Sequence, residues 1–267
     1  RRAAGLGNPP TEPDPDDYEK AHAFCDVLVI GAGPSGLAAA LAAARCGARV
    51  VLADDDSTPG GSLLSTSPIS SSNYSTNAWL VSVVAELKGL PNVRIMTRTS
   101  VFGAYDNLVF GLLERVCDHL PEPPPFQPRQ RYWTLRARQA VIATGAIERP
   151  LVFGNNDRPG VMLASAARRY LNRYAVLPGR RIVAFTNNDS AYDVALELAA
   201  AGAEIKVVDA RSKVPSVLQE RIREAGILLH LGHGIAGVNG RRRVKSVDLV
   251  PFNATQPSAA SVVSSLP

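Results

Sequence analysis

Cysteine is scarce in this sequence, and its few cysteines form no recognisable metal-binding pattern. The 267 residues include three, which lie far apart at Cys25, Cys46 and Cys117. Metal sites built on cysteine use closely spaced pairs, and this chain has none of them. We therefore expect three free thiols of the kind found in cytoplasmic proteins, with neither a redox nor a metal-binding role.

Long apolar segments are scarce as well. Residues 27–44 carry no charge and are numerous enough to raise the question of a membrane span. The glycines of this segment, its Pro34 and the acid-tipped strand that follows it favour a buried α/β core instead. The first twenty residues are polar and proline-rich, without the apolar stretch of a signal peptide. We expect a cytoplasmic protein with no membrane contact and, because no initiator methionine precedes Arg1, a piece of a longer chain.

The charge of the chain is only mildly unbalanced. There are 29 lysines and arginines against 24 acidic residues, a formal net charge of +5, and the arginines are scattered along the chain. The one dense basic run, Arg241–Arg243, is not accompanied by aromatic residues or a helix that could present it to nucleic acid. We expect no nucleic-acid binding, and a positive surface of this kind suits an acidic partner subunit better.

The most informative segment is a strand–turn–helix–strand unit, DVLVIGAGPSGLAAALAAARCGARVVLAD, at residues 26–54. Gly31, Gly33 and Gly36 lie at the spacing G-x-G-x-x-G, directly after an apolar strand. In such a unit the first glycine allows a tight turn, the second lets a pyrophosphate approach the backbone, and the third lets the helix pack close to the strand. The helix begins near Ser35, so its N-terminal amides and its dipole face the phosphates.

An acidic residue stands at the tip of the second strand of this unit. Asp54 follows Val50–Ala53, 23 residues after Gly31, where a carboxylate can accept hydrogen bonds from the ribose hydroxyls of a dinucleotide. The glycine triplet, both strands, the helix and this acid together predict a dinucleotide-binding site. FAD and NAD place an adenosine diphosphate on the same turn, so these residues leave the choice between the two open.

A further apolar strand ends in the tripeptide Ala-Thr-Gly at residues 143–145, and a glycine there lets the backbone run close to a bound nucleotide. Short alternating strands and a proline-rich loop precede it, which indicates an antiparallel insert at about residues 100–137. We predict a linker over residues 1–24 and then a dinucleotide-binding domain over residues 25–149.

A second strand–helix–strand unit follows at Arg181–Asp209 with the same hydrophobic pattern. Thr186 and Asn188 occupy the slots of the first two glycines, and a side chain at the second slot blocks a pyrophosphate. We predict a second, degenerate nucleotide-binding-like domain over residues 150–250 that holds no ligand. The last residues, 251–267, are rich in alanine and serine and predict a disordered tail.

The two units, the Ala-Thr-Gly strand and the insert resemble an α/β architecture with two Rossmann-like domains, that of the disulfide-reductase flavoproteins. Longer strings, such as ATGAIERP and NNDRPGVMLASA, are similar to the family of alpha subunits of heterotetrameric sarcosine oxidase. This resemblance implies a bacterial cytoplasmic oxidoreductase complex that oxidises sarcosine with oxygen to glycine and hydrogen peroxide. With tetrahydrofolate the complex also forms methylenetetrahydrofolate. The implied partner is a beta subunit that carries flavin and the amine-oxidising site.

The resemblance also implies a bound NAD in the first domain. Its contacts, carried over position by position, fall on Ser35, Asp54, Asp55, Asp56, Ser62 and Val101. With the glycine turns and strand ends added, the candidate cofactor-binding residues are Gly31, Gly33, Pro34, Ser35, Gly36, Asp54, Asp55, Asp56, Gly61, Ser62, Val101, Thr144 and Gly145. No catalytic acid, base or nucleophile and no metal ligand can be identified.

The chain departs from the family pattern after about Val250. A strand that would complete the first sheet is replaced there by other sequence, so we expect that sheet to lack its closing strand and the chain alone to be inactive. Two alternatives stay open. One is an FAD-binding subunit of an opine oxidase, a cyanide synthase or an amino-acid dehydrogenase. The other is a non-catalytic remnant that binds a nucleotide or a partner.

Overall fold

The computed structural model describes residues 11–14, 16–67, 71–252 and 264–266, with 71–76 and 264–266 described by their backbone. Contacts divide the chain into two compact units. Unit 1 consists of Arg1–Leu63 and Ser75–Gly145, and unit 2 of Leu64–Tyr74 and Ala146–Pro267. The chain therefore crosses between the units three times, after Leu63, after Tyr74 and finally directly after the Ala-Thr-Gly tripeptide.

Unit 1 is built on one six-stranded sheet with the order β3-β2-β1-β6-β5-β4. Its strands are β1 (Tyr18–Ile30), β2 (Val50–Ala53), β3 (Val93–Met96), β4 (Thr99–Tyr105), β5 (Val109–Arg115) and β6 (Gln130–Ile142). The first three and β6 run parallel, whereas β5 runs antiparallel to both of its neighbours, β6 and β4. The predicted α/β class is confirmed, and the antiparallel insert is an extension of the main sheet.

Residues 18–24 belong to β1 rather than to the linker that the sequence predicts. They pair with β6 along their whole length. Ala21 and Ala23 pack against a buried core that includes Cys25 and Leu135. The segment therefore alternates exposed side chains with two inward-facing alanines, as a strand with one exposed face does. Its backbone partners lie more than a hundred residues further along the chain.

Two helices cover one face of the parallel strands: α1 (Pro34–Arg45) and α2 (Ser71–Gly89). The buried core between these helices and the sheet consists of Val29, Ala32, Leu37, Ala40, Ala44, Val50, Leu52, Val83 and Leu87. The uncharged segment 27–44 is thus the end of β1 plus α1, inside an α/β core as predicted. Among the helices of the described residues, none has the length and hydropathy that crossing a bilayer requires.

The neighbours of β6 change along its length. On one side β1 accompanies it as far as Ile142, but on the other side β5 pairs only with Gln130–Arg136. Within the described part of the chain, no strand flanks residues 137–142 on that second side, and Ile142 is 76% exposed. The closing strand that we expect to be missing would lie here.

Unit 2 contains a three-stranded parallel sheet with the order β7-β8-β9 and a separate antiparallel sheet, β10-β11-β12. Its elements are α3 (Ala164–Tyr174), β7 (Arg181–Thr186), α4 (Ser190–Ala200), β8 (Glu204–Asp209), α5 (Ser216–Glu224), β9 (Leu228–Leu231), β10 (His233–Asn239), β11 (Ser246–Pro251) and β12 (Ser264–Leu266). The predicted disordered tail is wrong for residue 251, the last of β11, and for 264–266, which supply backbone partners to the edge of β11. Residues 253–263 and 267 lie outside the described residues.

Candidate nucleotide-binding site

The turn between β1 and α1 requires glycine at its first and last motif positions. Gly31 has φ +102, and a Cβ on it would lie 2.4 Å from the carbonyl oxygen of Ala143. A Cβ on Gly36 would lie 1.8 Å from the carbonyl oxygen of Gly31. Both distances are too short for any side chain. These two glycines are therefore needed by the fold itself, whether or not a ligand binds.

Gly33, the middle glycine of the motif, differs from the other two. Its φ of −72 suits any L-residue, and the nearest atom to a Cβ placed there is the Cα of Gly61, at 3.9 Å. The fold leaves this space free, although it does not need glycine here. A pyrophosphate that approaches the backbone does need it, which is why Gly33 is the position most specific to a ligand.

The first turn of α1 supplies hydrogen-bond donors toward this space. Pro34 occupies the first helical position, where its missing N–H costs nothing. Ser35 is exposed and Gly36 is buried, and their N–H groups belong to the first turn, which has no carbonyl partners inside the helix. The carbonyl of Gly33 accepts from Leu37 N–H at 2.9 Å, so the helix is already formed at its first turn.

A double-glycine loop lies against the same turn. Gly60 N–H donates to the carbonyl of Ala32 at 2.8 Å, and a Cβ on Gly61, whose φ is +54, would come within 2.7 Å of the Cα of Gly33. Gly61 and the exposed Ser62 begin a short 3-10 helix. The backbone of this loop therefore lies so close to the glycine turn that residue 61 has to be a glycine.

Asp54 joins the tip of β2 to the glycine turn. One carboxylate oxygen accepts the N–H of Ala32, and the other accepts the N–H of Asp56 at 2.8 Å. Sequence reasoning missed this role, because the acid is 22 residues away from the turn that it holds. Each carboxylate oxygen keeps a second acceptor site, so both can still receive a ribose hydroxyl. Asp55, next to it, is exposed.

The Ala-Thr-Gly tripeptide lies beside the turn. Ala143 N–H donates to the carbonyl of Ile30 at 2.8 Å, which is the last hydrogen bond between the ends of β6 and β1. Thr144 and Gly145 come directly after this bond. Gly145 is exposed and has φ +73, with no atom within 4 Å of a Cβ placed on it. The parallel strands β1, β2 and β6 thus bring their carboxyl ends, and the candidate residues on them, to one edge of the sheet.

Val101 is the candidate residue that lies on the antiparallel part of the sheet. It belongs to β4, the last strand of the sheet, and its side chain packs against the core that contains Phe110 and Leu112. Among the described strands, β4 pairs with β5 alone, so its other side leaves backbone groups that a ligand can contact. This arrangement is compatible with a main-chain contact to an adenine edge.

The corresponding turn of unit 2 is filled by its own side chains. The hydroxyl of Thr186 donates to the carbonyl of Asn188 at 3.0 Å, and the Asn188 side chain accepts the N–H of Ser190 at 3.1 Å. The acid at the tip of β8, Asp209, is fully buried and holds Tyr192 and Arg211. Burial and this carboxylate raise the pKa of the Tyr192 phenol well above its ordinary value. The carboxylate oxygens that would accept ribose hydroxyls therefore already accept hydrogen bonds from Tyr192 and Arg211.

The cysteines and histidines of the chain build no second site in the described residues. All three cysteines are free, as predicted. Burial raises the pKa of the Cys25 thiol to about 11, so this group stays protonated and unreactive at neutral pH. Nowhere in the described ranges are three or more histidine, cysteine or acidic side chains placed together to hold a metal ion.

Residues 25–264 match the family model of the pyridine nucleotide-disulphide oxidoreductases. The chain belongs to this family. Proteins with this fold bind FAD or NAD(P) nucleotides, and the glycine turn fits such a group: it leaves free at Gly33 the space that a Cβ would fill. Thioredoxin reductase of T. acidophilum shares the fold, with a TM-score of 0.64, 16% identity, and coverage of 91% of this chain and 74% of that chain.

Two curated relatives of this pyridine nucleotide-disulphide oxidoreductase chain are subunits of oxidases. The sarcosine oxidase alpha subunit of Rhizobium meliloti (strain 1021) is 54% identical over 212 residues, which cover 79% of this chain and 21% of that protein. An opine oxidase subunit of Agrobacterium tumefaciens (strain Ach5) is 30% identical over 191 residues, which cover 70% of this chain and 37% of that protein. The chain thus spans about a fifth of the length of the sarcosine oxidase relative.

Proposed function

We propose that this chain is the NAD-carrying part of a sarcosine oxidase alpha subunit. The observation that carries the proposal is the glycine turn. The fold would accept a side chain at position 33, and the glycine there leaves that space open for a ligand. The 54% identity to a sarcosine oxidase alpha subunit supports the choice of complex. A bound nicotinamide dinucleotide supplies hydride-transfer chemistry.

Each candidate residue has a distinct task in this proposal. Gly33 and the first-turn amides of Ser35 and Gly36 hold the pyrophosphate, with Gly61 and Ser62 on its other side. Asp54, Asp55 and Asp56 accept the hydroxyls of the adenosine ribose, and Val101 contacts the adenine through its backbone. Thr144 and Gly145 let the dinucleotide run past the end of β6. Gly31 and Pro34 shape the turn.

The proposed complex is cytoplasmic and converts sarcosine to glycine and hydrogen peroxide, and with tetrahydrofolate to methylenetetrahydrofolate. The partner proposed for this chain is the flavin-carrying beta subunit. The names of both relatives, each of them a subunit, support a multi-chain assembly. A formal charge of +5 on this chain suits an acidic neighbour.

We expect this chain to bind NAD at least about tenfold more tightly than NADP, because the Asp54 carboxylate pairs with ribose hydroxyls but repels a 2′-phosphate. Isothermal titration calorimetry with each dinucleotide measures the difference. The same titration should give one nucleotide per chain, since Asp209 of unit 2 already holds Tyr192 and Arg211. Equal affinity for the two dinucleotides, or two nucleotides per chain, would contradict this assignment.

The second candidate function is an FAD-binding subunit, which the 30% identity to an opine oxidase subunit favours. FAD and NAD share the adenosine diphosphate that the turn would hold, so the residues of the turn suit both. Colour separates the candidates, because a purified FAD protein is yellow and an NAD protein is not. Mass spectrometry of the supernatant after denaturation identifies the nucleotide directly.

We expect the isolated chain not to oxidise sarcosine. Oxidation needs a reacting centre held against a flavin, and we place that centre in the partner subunit. The test is to incubate the purified chain with sarcosine, oxygen and added FAD and to follow hydrogen peroxide. Turnover on the order of 1 per second, an ordinary enzyme rate, would mean that the chain has an active site of its own.

A further inference from the structure

The acidic loop at the tip of β2 (Asp54–Asp56) is tied to the antiparallel part of the sheet through all three of its carbonyl groups. The carbonyl of its first residue accepts the N–H of Thr99 at 2.8 Å, and that of its third accepts the N–H of Arg98 at 2.8 Å. The middle carbonyl, of Asp55, accepts from Nη2 of Arg115 at 2.5 Å. The main chain of all three acidic residues is therefore held by residues at the start of β4 and at the end of β5.

Only one of these three contacts is made by a side chain. Thr99 and Arg98 contribute backbone amides, which almost any residue supplies, whereas Arg115 contributes its guanidinium. Arg115 is the last residue of β5, and its own N–H donates to the carbonyl of Arg98 at 3.0 Å. Arg98 has φ +52, a left-handed conformation that non-glycine residues seldom adopt. The turn is thus kept in an unfavoured shape by the contacts around it.

We propose that Arg115 is a positioning residue, which holds the acidic loop where its carboxylates can accept both hydroxyls of an adenosine ribose. This inference rests on the proposed function. Three neighbouring carboxylates repel one another, and the guanidinium opposes that repulsion while it fixes the middle carbonyl. A hydroxyl hydrogen bond is lost when its atoms separate by much more than about 3 Å, so a small displacement of the loop is enough to remove it.

The test compares Arg115→Met with Arg136→Met in the intact purified protein. Methionine keeps the apolar stem of arginine but has no donor and no charge. Arg136 is an exposed arginine of the neighbouring strand β6, so its replacement removes the same charge from the same sheet. For each protein, calorimetry gives the affinity for NAD and for an NAD analogue that lacks both hydroxyls of the adenosine ribose.

We expect the wild type to prefer NAD over the analogue by about tenfold. In Arg115→Met the preference should fall to about twofold, because NAD loses hydrogen bonds to its ribose hydroxyls that the analogue never makes. The ratio isolates positioning, since a lost positive charge weakens both diphosphates equally. Arg115→Lys, which keeps the charge and a donor, should recover most of the preference.

Hydrogen exchange without any ligand provides the second measurement. The N–H groups of Asp56 and Ser57 are bonded to carboxylates of the loop itself. Their exchange should accelerate about fivefold or more in Arg115→Met and stay unchanged in Arg136→Met. An unchanged NAD-to-analogue ratio in Arg115→Met, or an equal fall in Arg136→Met, overturns the inference and leaves the proposed function intact. A wild type that binds no NAD overturns the proposed function, and the exchange rates then decide whether Arg115 holds the loop.

Discussion

Replacement of Gly33 by valine is expected to abolish dinucleotide binding, with a loss of affinity of at least about 100-fold, while the chain stays folded. The backbone at this position has φ −72, and a Cβ meets nothing closer than 3.9 Å. The fold can therefore accept a side chain there. The valine methyl groups then occupy the space that the pyrophosphate needs. Calorimetry with NAD measures the loss, and far-UV circular dichroism checks the fold.

Gly36→Ala is the matched variant for this prediction. Its added Cβ would lie 1.8 Å from the carbonyl oxygen of Gly31, so the turn itself has to break and the melting temperature should fall. Two variants of one motif are thus expected to differ: Gly33→Val loses the ligand and keeps the fold, whereas Gly36→Ala loses stability. Normal NAD binding by Gly33→Val would refute the assignment of the pyrophosphate to this turn.

Asp209→Asn is expected to lower the free energy of unfolding of unit 2 by about 3 kcal/mol. Asp209 is fully buried, and its carboxylate accepts from Tyr192 Oη at 2.9 Å and from Arg211 Nη2 at 2.8 Å. Asparagine removes the buried charge that faces the guanidinium, which keeps only its exposed partner Asp189, and brings an amide donor against other donors. Urea unfolding followed by far-UV circular dichroism measures the change.

Two controls sharpen this measurement. Asp193→Asn breaks a surface pair with Arg221, in which both side chains are about half exposed, and should cost less than about 1 kcal/mol. Both tryptophans, Trp79 and Trp133, lie in unit 1, so tryptophan fluorescence follows the unit that is not altered. An effect of Asp209→Asn no larger than that of Asp193→Asn would show that the buried network does not stabilise unit 2.

The sequence predicts well those features whose pattern lies within one short, continuous segment. The β1–α1–β2 unit and its degenerate counterpart in unit 2 follow from local periodicity and turn glycines, and the structure has both. The N-terminal half of β1 was not predictable in this way. Its residues mix polar and apolar side chains with only a weak alternation, and they form a strand because β6 lies beside them. The interpretation of 18–24 as a linker fails for that reason.

The same limit applies to the candidate site. Gly31 and Gly36 can be recognised from spacing, since the turn geometry that needs them is local. Asp54 accepts the N–H of Ala32, 22 positions away, and Arg115 donates to the carbonyl of Asp55, 60 positions away. No local sequence pattern predicts hydrogen bonds between residues so far apart. One signal was present in unit 2. An arginine two residues after the acid at the tip of β8 indicates that Asp209 has a partner within the chain. The ligand contacts of Ser35, Ser62 and Val101 stay predictions.

The pairing of β1 with β6 governs when this protein can fold on the ribosome. Tyr18 pairs with Gln130, more than a hundred residues further along, and a chain grows by about 5–20 residues each second. The central strand of unit 1 therefore waits on the order of 10 seconds for its neighbour, with one edge open to other chains. Closing so long a loop also slows refolding in vitro, because the entropy of closure is lost before the contacts form. Synthesis at low temperature and low protein concentration, which disfavour association of open edges, is the expression strategy that this topology favours.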